Sequence, residues 1–263
     1  MTSAQRAPID ADRLSADLDG SRWRSVSVVA ETGSTNKDLV AAGEPDRVLI
    51  AETQTAGRGR LGRRWETPAG TQIAVSVSIA VPSARTADLG WVPLAAGLAV
   101  HDTVTEVSGG VATAQLKWPN DVLIEDRKLA GILGELASST PPVAVVGIGL
   151  NVALTESELP VPTATSLLLT TGTGDRQAVA AVLLRSLDRW LTAWETDLPA
   201  VIDAYRLRCD TVGRRVRVEL PGTDGLLGTA VTVDEQGRIV VRAEDGTERA
   251  VAAGDVTHLR TAD

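Results

Sequence analysis

Residues 57–81 read GRGRLGRRWETPAGTQIAVSVSIAV, a loop rich in glycine and arginine that leads into a strand. Residues 57–65 hold four arginines, three glycines and no acidic side chain. Glycine lets a backbone approach a ligand closely, and the planar guanidinium group of arginine matches phosphate and carboxylate oxygens. The sequence therefore predicts a flexible loop that closes over a small anion. A solvated loop or a nucleic-acid contact would have the same composition.

The strand that follows this loop alternates large apolar residues with small ones from residue 72 to residue 81. A period of two is typical of a strand with one face packed on a core. Further strands are predicted at residues 24–30, 47–53 and 143–153, and residues 115–135 are predicted as strand, turn and strand. Helices are predicted at residues 11–18, 88–107, 175–195 and 198–209, and another helix is predicted to start at Ser34 and Thr35.

The C-terminal part of the chain has a different character. Short strands are predicted at residues 215–220, 226–233, 238–243 and 249–252, and turn sequences separate them. Regular short strands with such punctuation are typical of a small barrel or sandwich. We therefore predict two domains, residues 1–212 and residues 213–263.

Composition narrows the class of protein. The chain has 263 residues, of which 43% are hydrophobic, so it can bury a substantial core. Its net charge of −8 opposes general affinity for DNA, which depends on basic surface. No apolar run reaches the roughly 20 residues that span a bilayer, and the N-terminal segment has no signal-peptide core. The single cysteine, Cys209, fits a reducing compartment, so we predict a cytoplasmic protein that binds neither DNA nor membranes.

Lysine is rare in this chain. Of 26 basic residues only three are lysines, Lys37, Lys117 and Lys128, which hints that an ammonium group is required where one is kept, although chance also allows this. Lys128 opens a predicted strand that contains Gly131 and Gly134, where a ligand can approach closely. Opposite the arginine loop, Lys128 would complete a cationic pocket for an anionic reaction centre. The alternative is a surface lysine at the end of a strand.

Several polar and aromatic residues lie where they could bind a ligand. Ser34, Thr35 and Asn36 stand at a helix start, where they can grip a neutral ligand or cap the helix. Gln54 follows a strand, and Trp65 could either stack on a base or anchor the loop to the core. Asn120 and Asn151 could bind a base edge or phosphates. Asp121 could hold Mg²⁺ or only form a turn.

Other routes to catalysis are weakly supported. His101 and His258 have no partner motif, and nothing in the sequence around Cys209 activates its thiol. The chain has no Walker loop, no dinucleotide fingerprint and no cysteine and histidine spacing typical of a zinc site.

The motifs form a set that resembles a known family. Ser34-Thr35-Asn36, the arginine loop, KWPND at residues 117–121, KLAGILGE at residues 128–135 and GIGLNV at residues 147–152 follow one another in the order and spacing of the biotin protein ligases, the biotin–[acetyl-CoA-carboxylase] ligases. The resemblance runs from about Ser34 to the C-terminus. It implies an α+β fold, with a mixed-sheet catalytic domain like that of class II aminoacyl-tRNA synthetases and a C-terminal SH3-like domain. The segment before Ser34 is too short for the DNA-binding domain of bifunctional members.

The resemblance also implies a reaction. Biotin and ATP would be substrates, with Mg²⁺, and biotinyl-5′-AMP would pass its biotin to a lysine on the biotin carboxyl carrier domain of an acyl-CoA carboxylase. Lys128 and Arg58 would be the catalytic residues. The candidate Mg²⁺ ligand, Asp121, comes from its residue type rather than from the resemblance. Biotin would be bound by Ser34, Thr35, Asn36, Gln54, Arg58, Gly59, Arg60 and Lys128. The resemblance places Arg58, Arg60, Trp65 and Lys128 at the adenylate, and from residue type we expect Arg63, Asn120 and Asn151 to bind it as well.

Three other functions fit the sequence less well than a biotin protein ligase. A lipoate ligase would carry a glycine-rich Arg-Arg motif followed by a His-Asp pair, which this sequence lacks. A nucleic-acid-binding protein would use the arginine loop, but the acidic remainder opposes it. A biotin carrier would have its target lysine between methionines, and Met1 is the only methionine. The sequence leaves the oligomeric state open.

Overall fold

The computed structural model describes residues 6–65, 67–219, 225–252 and 255–258. Its helices are α1 (Ala11–Asp17), α2 (Thr35–Ala42), α3 (Trp91–Val107), α4 (Leu167–Thr171), α5 (Arg176–Thr196) and α6 (Leu198–Arg208). Its strands are β1 (Ser25–Thr32), β2 (Arg47–Gln54), β3 (Gln72–Ala80), β4 (Gln115–Lys117), β5 (Asp121–Ile124), β6 (Arg127–Ala137), β7 (Val143–Asn151), β8 (Arg215–Glu219), β9 (Leu226–Val233), β10 (Ile239–Ala243), β11 (Glu248–Val251) and β12 (Asp255–His258). None of the helices in the described part is long and apolar enough to cross a membrane.

The first seven strands form one mixed sheet in the order β1-β2-β3-β7-β6-β5-β4. Strands β1 and β2 are parallel because α2 carries the chain back between them, and the other neighbouring pairs are antiparallel. The remaining strands form an antiparallel sheet in the order β11-β10-β9-β8-β12. The predicted fold class, an α+β domain around a mixed sheet with a C-terminal β domain, is confirmed.

Strand β3 shows why the sheet needs cover on both faces. Its large residues, such as Ile73 and Val75, join the main core with α3 and α5. Its small residues face α2, where Ser76 Oγ lies within hydrogen-bonding distance of Thr35 Oγ1, at 2.7 Å, and of Asn36 Oδ1, at 2.6 Å. The alternation read from the sequence therefore separates an apolar face from a small, polar face, and both are buried.

Two predicted elements differ in detail, and two elements were missed. The helix predicted at residues 88–107 begins at Trp91, after a 3₁₀ turn at Ser83–Asp88, so that Pro93 lies in its first turn, where proline is tolerated. The run at residues 115–135 makes three strands, because the chain turns at Trp118-Pro119-Asn120 as well as at Glu125-Asp126. Helix α4 and strand β12 were not predicted.

The two sheets meet through buried indole groups. The Trp91 indole donates a hydrogen bond to the Glu235 carbonyl at 2.8 Å, and the Trp118 indole donates to the Gly237 carbonyl at 2.9 Å. The Trp118 backbone N–H donates to the Thr211 hydroxyl at 3.0 Å. These contacts hold the turn at Trp118 against the C-terminal sheet. The proposed division after residue 212 stays a prediction.

Candidate active site

A cavity of about 580 Å³ opens on the face of the mixed sheet that carries the start of α2. Its volume lies in the range of small-molecule sites. The structure brings every residue that was predicted for the site to this one cavity: Ser34, Thr35, Asn36, Gln54, Arg58, Gly59, Arg60, Arg63, Trp65, Asn120, Asp121, Lys128 and Asn151. Their contacts with ligands stay predictions.

One end of the cavity is polar and uncharged. Ser34 caps α2 by accepting a hydrogen bond from the Lys37 N–H at 3.5 Å. Gln54 Oε1 accepts from the Thr35 N–H at 2.9 Å and from the Thr35 hydroxyl at 3.1 Å. This pairing orients the Gln54 amide, and its Nε2 donates to no atom in the described part of the chain. The capping and the ligand-binding interpretations of these residues are therefore compatible.

The Asn36 side chain lies over Gly147, where a Cβ atom would come within 2.1 Å of Asn36 Oδ1. Its Nδ2 donates to the Leu133 carbonyl at 3.1 Å and to Glu135 Oε2 at 2.8 Å, so both amide N–H groups are used inside the protein. Glu135 also accepts from Arg58 at 3.2 Å through its other oxygen. One carboxylate therefore connects the polar end to the arginine loop.

The arginine loop forms a tight hairpin in this structure. The Trp65 N–H donates to the Gly57 carbonyl at 3.0 Å, and the Gly59 N–H donates to the Arg63 carbonyl at 2.7 Å. A 3₁₀ turn, Arg60–Gly62, closes the tip. A Cβ atom on Gly57 would lie 2.4 Å from the Trp65 carbonyl oxygen, so the hairpin requires glycine there. The loop's mobility without a ligand stays a prediction.

Trp65 lies against a pair of facing glycines. Gly131 on β6 and Gly149 on β7 are direct cross-strand partners. A Cβ atom would lie 3.1 Å from the Trp65 ring at Gly131 and 2.4 Å from it at Gly149. The indole N–H donates to Gln72 Oε1 at 2.5 Å, which fixes the ring in its plane. The structure shows Trp65 as an anchor of the loop, and base stacking stays a prediction.

The cross-strand row of Gly149 and Gly131 continues into charged residues on β5 and β4. Gly131 is paired with Asp121 on β5, which is paired with Lys117 on β4. Directly opposite residues in antiparallel strands project from the same face. Lys128 Nζ lies 2.6 Å from Asp121 Oδ1 and 5.6 Å from the centroid of the Trp65 ring. The charged groups therefore lie beside the surface formed by Gly131, Gly149 and Trp65, which we call the glycine platform.

Positive charge dominates this part of the cavity. Burial lowers the pKa of Arg60, the nearby Asp121 carboxylate raises it, and Arg63 lowers it further. Burial likewise lowers the pKa of Lys117, against the opposing effect of Asp121. A single carboxylate thus faces several cations, which indicates a site for an anion.

Two asparagines have distinct environments. Asn120 is tied to β6, since its Nδ2 donates to the Ile132 carbonyl at 3.1 Å. Asn151 Nδ2 donates to the Thr165 carbonyl at 3.0 Å, while its buried Oδ1 has no hydrogen-bond donor in the described part of the protein. Because a buried acceptor without a donor is costly, Asn151 is suited to accept a ligand N–H group.

Within the described residues, neither Cys209 nor His101 is a rival catalytic group. Cys209 is buried, which raises the pKa of its thiol and keeps it protonated. His101 Nδ1 lies 3.2 Å from Asp102 Oδ1, away from the cavity. Among the residues that the structure describes, no three histidine, cysteine or acidic side chains cluster as a metal site. Sequence reasoning gave no role to Glu135, whose partners Asn36 and Arg58 lie far away in the chain, or to Gln72, which bonds Trp65 seven residues before it.

Comparison with known proteins agrees with the family resemblance of the sequence motifs. Residues 27–151 match the biotin/lipoate A/B protein ligase family, and residues 211–259 match the biotin protein ligase C-terminal domain. The chain is 45% identical to the biotin–[acetyl-CoA-carboxylase] ligase of Mycobacterium tuberculosis, over 95% of this chain and 99% of that protein. It is 30% identical to the bifunctional ligase/repressor BirA of Escherichia coli, over 97% of this chain and 79% of the relative.

A solved structure resembles the whole fold. The biotin protein ligase from Aquifex aeolicus in complex with biotin and ATP superposes with a TM-score of 0.76 at 27% sequence identity. The match covers 91% of this chain and 100% of that one, so both sheets are shared.

Proposed function

The chain belongs to the biotin protein ligase family, and we propose that it uses ATP to attach biotin to a lysine of the carboxyl carrier domain of an acyl-CoA carboxylase. In the first step a biotin carboxylate oxygen attacks the α-phosphorus of ATP, and the bond to the β-phosphate oxygen breaks. Pyrophosphate leaves with the electron pair. In the second step the carrier lysine attacks the acyl carbon of biotinyl-5′-AMP, AMP leaves, and the nitrogen loses a proton to water.

The order of chemical environments along the cavity carries this proposal. A polar, uncharged end at Thr35 and Gln54 is followed by a cationic centre at Lys128 and Arg60, beside the Trp65 platform. An acyl adenylate has the same order of groups: a neutral ring, a phosphate and a base. This agreement supports an adenylate-forming enzyme over a nucleic-acid-binding protein, which would need an extended basic surface.

At the polar end, the biotin ring would be held by hydrogen bonds. The Gln54 Nε2 group has N–H donors that no described residue uses, and the ureido oxygen of biotin is an acceptor. Ser34, Thr35 and the Gly59 backbone complete this wall of the cavity. We assign Asn36 to shaping this wall, because its own N–H groups are already bonded to Leu133 and Glu135.

At the other end, the adenine would bind against Trp65. Base–aromatic stacking contributes about 1–3 kcal/mol, and the plane of the ring is fixed by Gln72. The exocyclic amino group of adenine is the donor that Asn151 Oδ1 lacks. Asn120 would act from the neighbouring turn.

In the cationic centre, Lys128 and Arg60 would stabilise the charge that builds up on the α-phosphate. Arg58 would act with them at the carboxylate, after leaving its contact with Glu135. Asp121 fits a Mg²⁺ ion as one carboxylate ligand, because Mg²⁺ takes one or two carboxylates together with substrate phosphates. Bound there, the ion would screen the phosphate charge.

The polar end also separates biotin from lipoate. The dithiolane ring of lipoate has no hydrogen-bonding group, so it would leave the Gln54 N–H donors buried and unpaired. Such a loss gives strong discrimination, of about 10⁴-fold or more in sites built to bind polar groups. The C-terminal match to biotin protein ligases points the same way.

The proposal is tested by product analysis of the first step. The protein is incubated with ATP, Mg²⁺ and either biotin or lipoate, and acyl-AMP and pyrophosphate are quantified. We expect biotinyl-AMP with one equivalent of pyrophosphate, and no lipoyl-AMP above background. Formation of lipoyl-AMP without biotinyl-AMP, or of neither product, would overturn the assignment.

A further inference from the structure

Lys117 is a half-buried lysine on the cavity wall that no step above uses. It is the last residue of β4, and its backbone is clamped on both sides. The Leu116 carbonyl accepts from the Asp210 N–H at 2.9 Å, and the Trp118 N–H donates to Thr211 Oγ1 at 3.0 Å. Within the described residues, the ammonium group itself makes no hydrogen bond and no ion pair.

Cations outnumber carboxylates around Lys117 on the cavity wall. The nearest carboxylate in its cross-strand row, Asp121, already contacts Lys128 at 2.6 Å. Burial lowers the pKa of Lys117; the Asp121 carboxylate and, less strongly, that of Asp126 raise it, and Lys128 and Arg63 lower it. The facing His258 adds no charge near pH 7, because burial and the charge of Lys117 lower its pKa to about 4. A half-buried ammonium group that forms no ion pair or hydrogen bond among the described residues is costly, so its place on the cavity wall indicates that a bound anion compensates it.

The cross-strand row shows where this anion would lie. Lys117 is two strands beyond Gly131, with Asp121 between them. Directly paired residues are about 4.5–5.5 Å apart, which puts the Lys117 Cα roughly 10 Å from the glycine platform. Lys128 contacts the intervening Asp121 and lies nearer to Trp65. A phosphate chain that passes Lys128 at its first phosphate would reach Lys117 with its later ones.

Resting on the function proposed above, we propose that Lys117 binds the β- and γ-phosphates of ATP and neutralises pyrophosphate as it leaves. When the biotin carboxylate attacks, the bond from the α-phosphorus to the bridging oxygen breaks and its electron pair stays on pyrophosphate. That oxygen gains negative charge in the transition state. The ammonium group of Lys117 stabilises this charge without transferring a proton.

The three lysines of the chain provide matched variants for a test. Lys117→Met removes the proposed contact, Lys117→Arg keeps the charge, Lys128→Met removes the proposed α-phosphate contact, and Lys37→Met changes an exposed lysine on α2. Each variant is assayed for single-turnover formation of biotinyl-AMP. Each is also assayed for transfer from purified biotinyl-AMP to a carrier domain, a step in which pyrophosphate takes no part. Inhibition of the first step by added pyrophosphate is measured separately.

We expect Lys117→Met to slow adenylate formation by about 10²- to 10³-fold, as for loss of one pre-organised donor to a developing charge. Pyrophosphate inhibition should weaken by about tenfold or more, while transfer from purified adenylate stays within about twofold of wild type. Lys117→Arg should restore part of the first step, Lys128→Met should impair both steps, and Lys37→Met should match wild type.

Several outcomes would overturn the inference. Equal loss of both steps in Lys117→Met would mean that the lysine supports the site as a whole. A raised KM for the carrier alone would mean that it binds the acceptor protein. Wild-type adenylate formation by Lys117→Met would also overturn it, while leaving the proposed function intact. Failure of the wild-type protein to make biotinyl-AMP would instead refute the proposed function.

Discussion

Replacing Gly149 with alanine tests whether the glycine pair and Trp65 form the adenine platform. The added Cβ atom would lie 2.4 Å from Trp65 Cε2 and 2.5 Å from Nε1, whereas ordinary contact begins near 3.4 Å. The ring must therefore move by about 1 Å, which strains its hydrogen bond to Gln72. Overpacking of this kind costs about 1–3 kcal/mol in stability.

The effect on binding follows from the stacking energy. If the displaced ring no longer supports the base, about 1–3 kcal/mol of stacking is lost. At 1.4 kcal/mol for each tenfold change, affinity for the adenylate should fall by about 5- to 150-fold. Affinity for biotin alone should change by less than about twofold, because the polar end lies in a different cross-strand row, that of Gly147 and Ser76.

The assay is calorimetric titration with biotin alone and with a stable analogue of biotinyl-AMP. Gly134→Ala is the matched control on β6, since its Cβ atom would meet only Pro93, at 3.6 Å. We expect the control to bind both ligands as wild type does. Wild-type affinity of Gly149→Ala for the analogue, or an equal loss in Gly134→Ala, would refute the placement of adenine on Trp65.

Four further outcomes are expected. Lys128→Met should keep the fold and raise the barrier to adenylate formation by about 2.7–4 kcal/mol, so pyrophosphate release at the wild-type rate would contradict its role. Glu135→Gln should weaken the ion pair with Arg58 and speed tryptic cleavage of the arginine loop in the ligand-free protein by about 1.5- to 5-fold. Glu156→Gln, which changes another exposed Arg–Glu pair, should leave the rate of this cleavage unchanged. His258 has a pKa lowered from 6.5 to about 4, so its contribution to stability is complete above pH 6.5 and is lost as the pH falls toward 4; thermal midpoints of His258→Gln should therefore depend less on pH in this window than those of wild type. A folded fragment of residues 1–212 should still make detectable biotinyl-AMP by mass spectrometry, and complete absence of product would show that the C-terminal domain does more than support the site.

Most strands of the fold could be predicted because their signal is local. A period of two in β3 and turn sequences in the C-terminal part identify strands without knowledge of their neighbours. The pairing of β3 with β7 could not be read in this way, because it joins segments about 70 residues apart. The additional break in residues 115–135 did have a signal: Pro119 cannot donate to a strand ladder.

The residues of the candidate site could be predicted from the sequence motifs, but the contacts among these residues could not. The motif residues all reach one cavity, which their spacing alone would not have shown. The Asn36–Glu135–Arg58 contact joins three separate parts of the chain and appears only in the fold. The sequence also could not show that the Lys117 ammonium group forms no ion pair among the described residues, because that depends on its three-dimensional surroundings. For Trp65, the sequence left an anchor and a stacking platform as alternatives, and the close approach of two glycines supports the anchor directly.

Transfer of biotin to a carrier domain tests the proposed enzyme most directly. The protein, with ATP, Mg²⁺ and biotin, is incubated with the purified carrier domain of an acyl-CoA carboxylase, and the carrier is mapped by peptide mass spectrometry. Lys128→Met and a carrier with its acceptor lysine changed to arginine serve as controls. We expect one biotinyl group on that lysine in the wild-type reaction alone. An unmodified carrier in the presence of accumulated biotinyl-AMP, or labelling that persists on the arginine variant, would contradict a specific biotin protein ligase.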